Sequence, residues 1–197
     1  MVKGSNGTSE KRLDPRIKRT RELIVRAFSE LVAEKGHTGL TVQEIAERAT
    51  INRATFYAHF RDQHELLDYF ISQAFREELW RRLPDSPGPS RENLKALALA
   101  ACEFLSKLET NCRRSDRQFR PLIEARVQGE LYELLLEWIE AAPQKVNGRS
   151  VAPEVTASVV SWSIFGAALD WSRNGEASSS EEVTDQVLSV IVEGLRF

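Results

Sequence analysis

Only two cysteines, Cys102 and Cys112, occur in the 197 residues. Two thiols supply neither a disulfide framework nor a four-thiolate zinc site, and nothing else asks for an oxidising compartment, so a cytoplasmic setting is expected. Long apolar runs are missing too. The longest stretch free of charge, 155–169, is interrupted by serines and stops at Asp170, short of the roughly 20 apolar residues that span a bilayer, so no membrane partner is expected. The polar start, Met1 to Ser9, has no apolar core and does not read as a signal peptide. Catalytic signatures are equally scarce. Of the three histidines, His37, His59 and His64, no two show the four-residue spacing of a helical metal pair, and there is no glycine-rich phosphate loop, HExxH or GxSxG. The sequence therefore predicts no enzyme, no metal and no cofactor. Its carboxylates are scattered on periodic helix faces, where solvation is the ordinary expectation. Both cysteines read as small apolar core residues, although Arg113 and Arg114 beside Cys112 keep a redox role open there.

What is present is an ordinary globular composition, 42% hydrophobic and 28% charged. At about 150 residues per domain, the length suits one domain or two small ones. The formal net charge of -2 hides an asymmetry: residues 1–61 hold twelve Lys and Arg against seven acids, and the remainder holds fifteen against twenty-two. A basic head on an acidic body is what a polyanion-binding module on a soluble carrier needs, although chance alone also produces such splits.

Every periodic segment reads as helix. The pairs Leu23/Ile24, Ala27/Phe28 and Leu31/Val32 recur at spacing four and predict a helix over 16–35, ended by Gly36 at its C-terminal cap. Thr41 with Glu44 forms a capping box that starts a second, short helix carrying Ile45, Ala46 and Ala49. Asn52 caps a third that runs to Phe60, and Asp62 caps a fourth that reaches about Leu83. The proline-rich run from Pro84 to Ser90 breaks the chain. Further helices fit 92–109, 119–138 with an interruption near Gly129, 153–173 and 181–195. The expected fold is all-α, about nine helices. A basic arm over 1–15 precedes a helix-turn-helix domain over 16–62, and a larger helical domain fills 63–197.

The stretch TVQEIAERATINRATFYAHF, 41–60, is helix, tight turn, helix, with small Ala46 and Ala49 where the two helices cross. With the preceding amphipathic helix and the following Asp62-Gln63-His64-Glu65-Leu66-Leu67, it resembles the DNA-binding domain of the tetracycline-repressor (TetR) family of bacterial regulators. The resemblance rests on Thr-Val-x-x-Ile-Ala at 41–46 and Thr-Phe-Tyr-x-His-Phe at 55–60, and covers about residues 17–67. Two positions depart from the family pattern. Thr50 stands where the family usually has Gly, which predicts a slightly reshaped turn, because a β-branched residue disfavours positive φ. Gln63 replaces a common lysine, removing one implied phosphate contact and shifting weight to the basic arm from Lys11 to Arg21.

At about 100° per residue, with Phe56 pointing inward, Ala54 and Ala58 face outward, Thr55 and Tyr57 flank them, and Arg53 lies near the helix start. Small alanines let a helix approach the groove closely, Thr55 and Tyr57 can bond base edges or phosphate, and Arg53 can reach guanine or the backbone. The resemblance implies phosphate or packing roles for Thr41, Tyr57 and His59; His59 lies close enough to the inward direction for packing to compete with base reading.

The last two helices carry apolar stripes wider than one core face requires. Val159, Trp162, Phe165, Leu169, Val187 and Ile191 are therefore expected to form a homodimer interface as a four-helix bundle, the same pair the resemblance implies. A monomer burying both helices centrally is the alternative. The resemblance further implies a small-molecule pocket in the aromatic-rich body, with ligand binding shifting the fourth helix; Cys102, Phe119, Arg126 and Trp138 are candidate liners, or plain core. The expected function is a homodimeric repressor on a palindromic double-stranded DNA operator, released by a small apolar or aromatic effector. The alternatives are an orphan DNA-binding regulator controlled by a protein partner and, with less to support it, a helical enzyme or ligand carrier.

Overall fold

The computed structural model describes residues 15–85, 87–111, 118–142, 145–146, 149–174 and 178–194. The basic arm before Pro15, and Cys112 with Arg113 and Arg114, lie outside the described residues. Two compact units divide the chain, Met1–Leu66 and Leu67–Phe197.

In the first unit α1 (Pro15–Lys35) buries Ile24, Ala27, Phe28 and Leu31, the three- and four-residue spacing of a single helical face. Leu23, expected on that face, is 42% exposed. Gly36 ends the helix at φ +84° with its N–H donating to the Val32 carbonyl at 2.8 Å. α2 (Val42–Arg48) and α3 (Arg53–His59) are too short to persist alone, and they pack on α1 and on each other. Ile45, Ala46, Ala49, Phe56 and Phe60 are all buried where the three meet. Ion pairs fasten the outside: Arg48 grips Glu34 with two hydrogen bonds of 2.8 and 2.7 Å, and Lys35 holds Glu44.

The turn between α2 and α3 is not reshaped. Thr50 itself adopts φ +57°. Its N–H donates to the Glu47 carbonyl at 3.1 Å and the Ile51 N–H to the Ala46 carbonyl at 2.9 Å, the two bonds of a Schellman helix end with Thr where Gly is usual. A left-handed β-branched residue costs about 1–2 kcal/mol, against about 0.5–1 kcal/mol of extra chain entropy that glycine loses on folding. Thr50→Gly is therefore expected to stabilise the fold by about 0.5–1 kcal/mol, raising the midpoint of urea unfolding; a lowered midpoint would show that the Thr50 side chain contributes contacts of its own.

α4 (Gln63–Trp80) crosses the unit boundary. Asp62 caps it, accepting the Glu65 N–H at 2.8 Å, and this bond, first among several, holds the Asp62 carboxyl below its usual range. The second unit adds α5 (Arg91–Asn111), α6 (Arg120–Ala141), α7 (Pro153–Asn174) and α8 (Ser180–Glu193). α7 packs against α5, α6 and α8, and α5 also packs on α8. Ala157, Ser161, Ile164, Phe165 and Ala168 form the buried side of α7, three of them small enough for close helix approach. α8 begins with a capping box of Ser179 and Glu182, one residue before the start expected from periodicity.

Eight α-helices, not nine, are found among the described residues. The expected interruption near Gly129 is absent: α6 runs unbroken for 22 residues, since one glycine costs a helix only about 1 kcal/mol. The chain also departs from purely helical in one small place. β1 (Lys145–Val146) pairs antiparallel with β2 (Arg149–Ser150).

The carboxylates are not all solvated. Glu78 and Glu130 are each 3% exposed. Glu130 accepts hydrogen bonds from Ser72, Arg76 and Arg126. Glu78 pairs with Arg81, with Arg82 at 3.2 Å and with Lys107 at 2.9 Å. Burying a carboxylate is tolerable only with this degree of pairing.

Candidate nucleic-acid interface

Thr41 and Asn52 set the two helix starts of the motif. The Thr41 hydroxyl donates to the Glu44 carboxylate at 2.9 Å and accepts the Glu44 N–H at 3.2 Å, while the Thr41 N–H donates to the same carboxylate at 2.8 Å. Lys35 first, then the Thr41 hydroxyl and N–H, hold the Glu44 carboxyl down at about 2. Thr41 is exposed, so its remaining acceptor capacity faces solvent, but its proton is committed. Asn52 accepts the Thr55 N–H at 2.7 Å and the Thr55 hydroxyl at 2.9 Å. Thr55 is thus half-buried and engaged in capping rather than held free for a base edge.

α3 is fixed from beneath. Phe56 and Phe60 are 0% and 1% exposed, with ring centroids 6.0 Å apart, and the Arg21 guanidinium lies 4.7 Å over the Phe60 ring, a cation–π contact between α1 and the end of α3. The outer side of α3 presents Arg53, Ala54, Tyr57 and Ala58, all exposed. Tyr57 stays in edge-to-face contact with Phe56, ring centroids 5.5 Å apart at 89°, and is 49% exposed. No ion pair reaches Arg53 among the described residues. His59 is half-buried, and burial first, then the charge of Arg21, lowers its pKa. Both effects favour the neutral imidazole in the free protein. Gln63 donates to the Leu40 carbonyl at 2.9 Å, so it ties the start of α4 to the loop before α2. No sequence signal had suggested that bond, nor the stacking of Arg21 on Phe60.

Two phenylalanines thus back a helix whose outer ridge carries small residues and, at its first turn, a guanidinium that no ion pair reaches among the described residues, features a major groove can admit. Residues 24–70 match the family model described as bacterial regulatory proteins, tetR family. Those residues, about a quarter of the chain, carry a TetR-family domain. The match extends unevenly beyond the TetR-family domain. A Bacillus subtilis protein named as an uncharacterised HTH-type transcriptional regulator, YxbF, is 36% identical over 100 residues, 50% of this chain and 26% of that protein. The HTH-type transcriptional repressor KstR2 of Rhodococcus jostii is 25% identical over 175 residues, covering 84% of this chain and 85% of its own. The chain spans about a quarter to a third of the length of the first curated relatives it matches. Among solved structures, the TetR-family repressor FadR of Thermus thermophilus, in complex with lauroyl-CoA, is 22% identical and has a TM-score of 0.53 over 90% of this chain and 95% of its own. At that identity the likeness is one of fold.

The residues expected to line a pocket lie on α5 (Cys102), just before α6 (Phe119) and on α6 (Arg126 and Trp138). Cys102 and Trp138 are buried, Phe119 precedes the start of α6, and Arg126 is spent on Glu130 and, at 3.8 Å, on Asp68. A cleft of about 200 Å³ between α4 and α6 is lined by none of the four. Burial pushes the Cys102 thiol up to about 11. In a Cys112→Ser background, Cys102 is therefore expected to resist iodoacetamide at pH 8 and to react fully in denaturant; rapid labelling of the native protein would contradict its placement.

Of the dimer candidates, Val159 and Trp162 are 61% and 58% exposed, whereas Phe165 is buried within the chain's own core at 5%, edge-on to Trp162. Leu169, Val187 and Ile191 are half-buried. No described helix is long and apolar enough to cross a membrane.

Proposed function

We propose that this chain is a homodimeric, sequence-specific DNA-binding transcriptional regulator that represses from a palindromic operator and is released by a small apolar or aromatic effector. One observation carries the reading: the outward face of α3, with Arg53, Ala54, Tyr57 and Ala58 exposed above buried Phe56 and Phe60. Arg53 reads a base or phosphate, Tyr57 bonds the backbone, and the two alanines admit close approach. Thr41, Thr55 and His59 act chiefly by holding the helices in place. The repressor sense is supported by KstR2, which aligns along most of both chains.

A gel shift with the protein's own upstream intergenic DNA tests this directly. Arg53→Ala and Tyr57→Ala are each expected to cost about 1–3 kcal/mol of operator affinity at fixed salt while leaving assembly intact. Equal affinity for unrelated DNA, or unaffected variants, would count against it.

The homodimer is supported by Val155, Val159 and Trp162 on α7, together with Val190 and Val192 on α8, all more than half exposed in a single chain. On α7 they follow helical spacing opposite the buried stripe. Such a ridge on two packed helices fits a two-fold four-helix bundle. Trp162→Glu is expected to convert the dimer to monomer in sedimentation equilibrium and to abolish operator binding with it; a variant that stays dimeric would place the interface elsewhere.

A further inference from the structure

α4 and α6 run in the same direction, and their facing side chains form a ladder. Asp68 lies 3.8 Å from Arg126, Ser72 and Arg76 bond Glu130, and Arg76 lies 3.6 Å from Glu133. Each rung so far is matched in charge or hydrogen bonding. At the next one, Trp80 of α4 and Glu137 of α6 line the same 200 Å³ cleft, with Leu79 and Leu134 as its apolar walls. Matching stops there. Arg76 is already held by Glu130 at 2.5 Å, and no ion pair within 4 Å reaches Glu137 among the described residues. The indole of Trp80 is 49% exposed. Three carboxylates against one guanidinium line the cleft, and Glu130 is further neutralised by Arg126. Glu133 lies 3.6 Å from Arg76 and 3.8 Å from Arg126, so two guanidinia face three carboxylates and the surplus negative charge falls to Glu137, which lines the cleft together with Trp80.

An exposed indole sharing a cleft with a carboxylate that feels Arg76 only at longer range, between leucine walls, attracts a group that is both positively charged and weakly hydrated. Anions are repelled, and an inorganic cation gains nothing from the indole or the leucines. We propose that this cleft binds a small organic cation, an aromatic or alkyl ammonium, with its charge between the Trp80 ring and the Glu137 carboxylate. Binding needs no DNA; only the step of naming such a cation as effector rests on the regulator reading above.

Isothermal titration of the full chain, without DNA, tests the site with benzyltrimethylammonium as probe and benzoate as its anionic counterpart. The ammonium is expected to bind with a Kd on the order of 0.1–1 mM, more weakly as salt is raised, and benzoate not to bind. Glu137→Gln and Trp80→Leu should each weaken binding about tenfold or more, while Trp80→Phe keeps most of it because a ring remains. Glu154→Gln, on an exposed turn of α7, should change nothing. Equal binding of benzoate, no heat from the ammonium at millimolar concentration, or Glu137→Gln and Trp80→Leu binding as the parent does would each overturn the proposal.

Discussion

Ala58→Glu is expected to lower operator affinity at least about 100-fold while leaving helix content and melting temperature unchanged. Ala58 is exposed, lies one turn beyond Ala54, and sits opposite Phe56 on α3, so a longer side chain disturbs no packing in the free protein. In the groove the same side chain meets base edges and places a carboxylate in the field of the phosphates. Loss of one good contact costs about 1–3 kcal/mol, and every 1.4 kcal/mol is tenfold in affinity; steric displacement of the whole helix exceeds a single contact. Ala58→Ser, which adds one atom and no charge, should lose only a few-fold. An Ala58→Glu protein that still binds the operator normally would mean that another surface reads DNA.

The largest expected loss of stability follows Glu130→Ala. Its carboxylate is 3% exposed and serves Ser72, Arg76 and Arg126 together. Breaking a buried pair by removing one partner typically costs about 3–5 kcal/mol. Here the arginine side chains remain 46% and 25% exposed, so water recovers part of the penalty and about 2–3 kcal/mol is expected from urea unfolding. A loss below about 1 kcal/mol would show that both guanidinia reach solvent unaided.

The head was readable in the sequence because its devices are local. Thr41 with Glu44, Asn52 before α3, Asp62 before α4 and Gly36 after α1 each act within one turn, and each does so in the structure. The outward set on α3 followed from helical period and two inward phenylalanines. What escaped reading depends on partners distant in sequence. Glu130 is indistinguishable from a solvated helix glutamate until Ser72 and Arg76, more than fifty positions away, are placed beside it. Phe165 read as interface because α7 is apolar on both sides, and only the packing of three helices around it separates the inner stripe from the outer. Thr50 misled in the opposite sense: propensity argued for a changed turn, but the bonds to Glu47 and Ala46 kept the left-handed geometry. Gly129 misled by propensity alone, since a helix of 22 residues absorbs one glycine.

The central claim is that α3 enters the major groove as one of a symmetric pair. Hydroxyl-radical footprinting on the gene's upstream intergenic DNA measures this most directly. The account predicts two protected half-sites related by two-fold symmetry, centred one helical turn of about 34–36 Å or a multiple of it apart, both lost together in Ala58→Glu. A single unpaired patch, protection spread evenly over unrelated sequence, or a footprint that survives Ala58→Glu would contradict it.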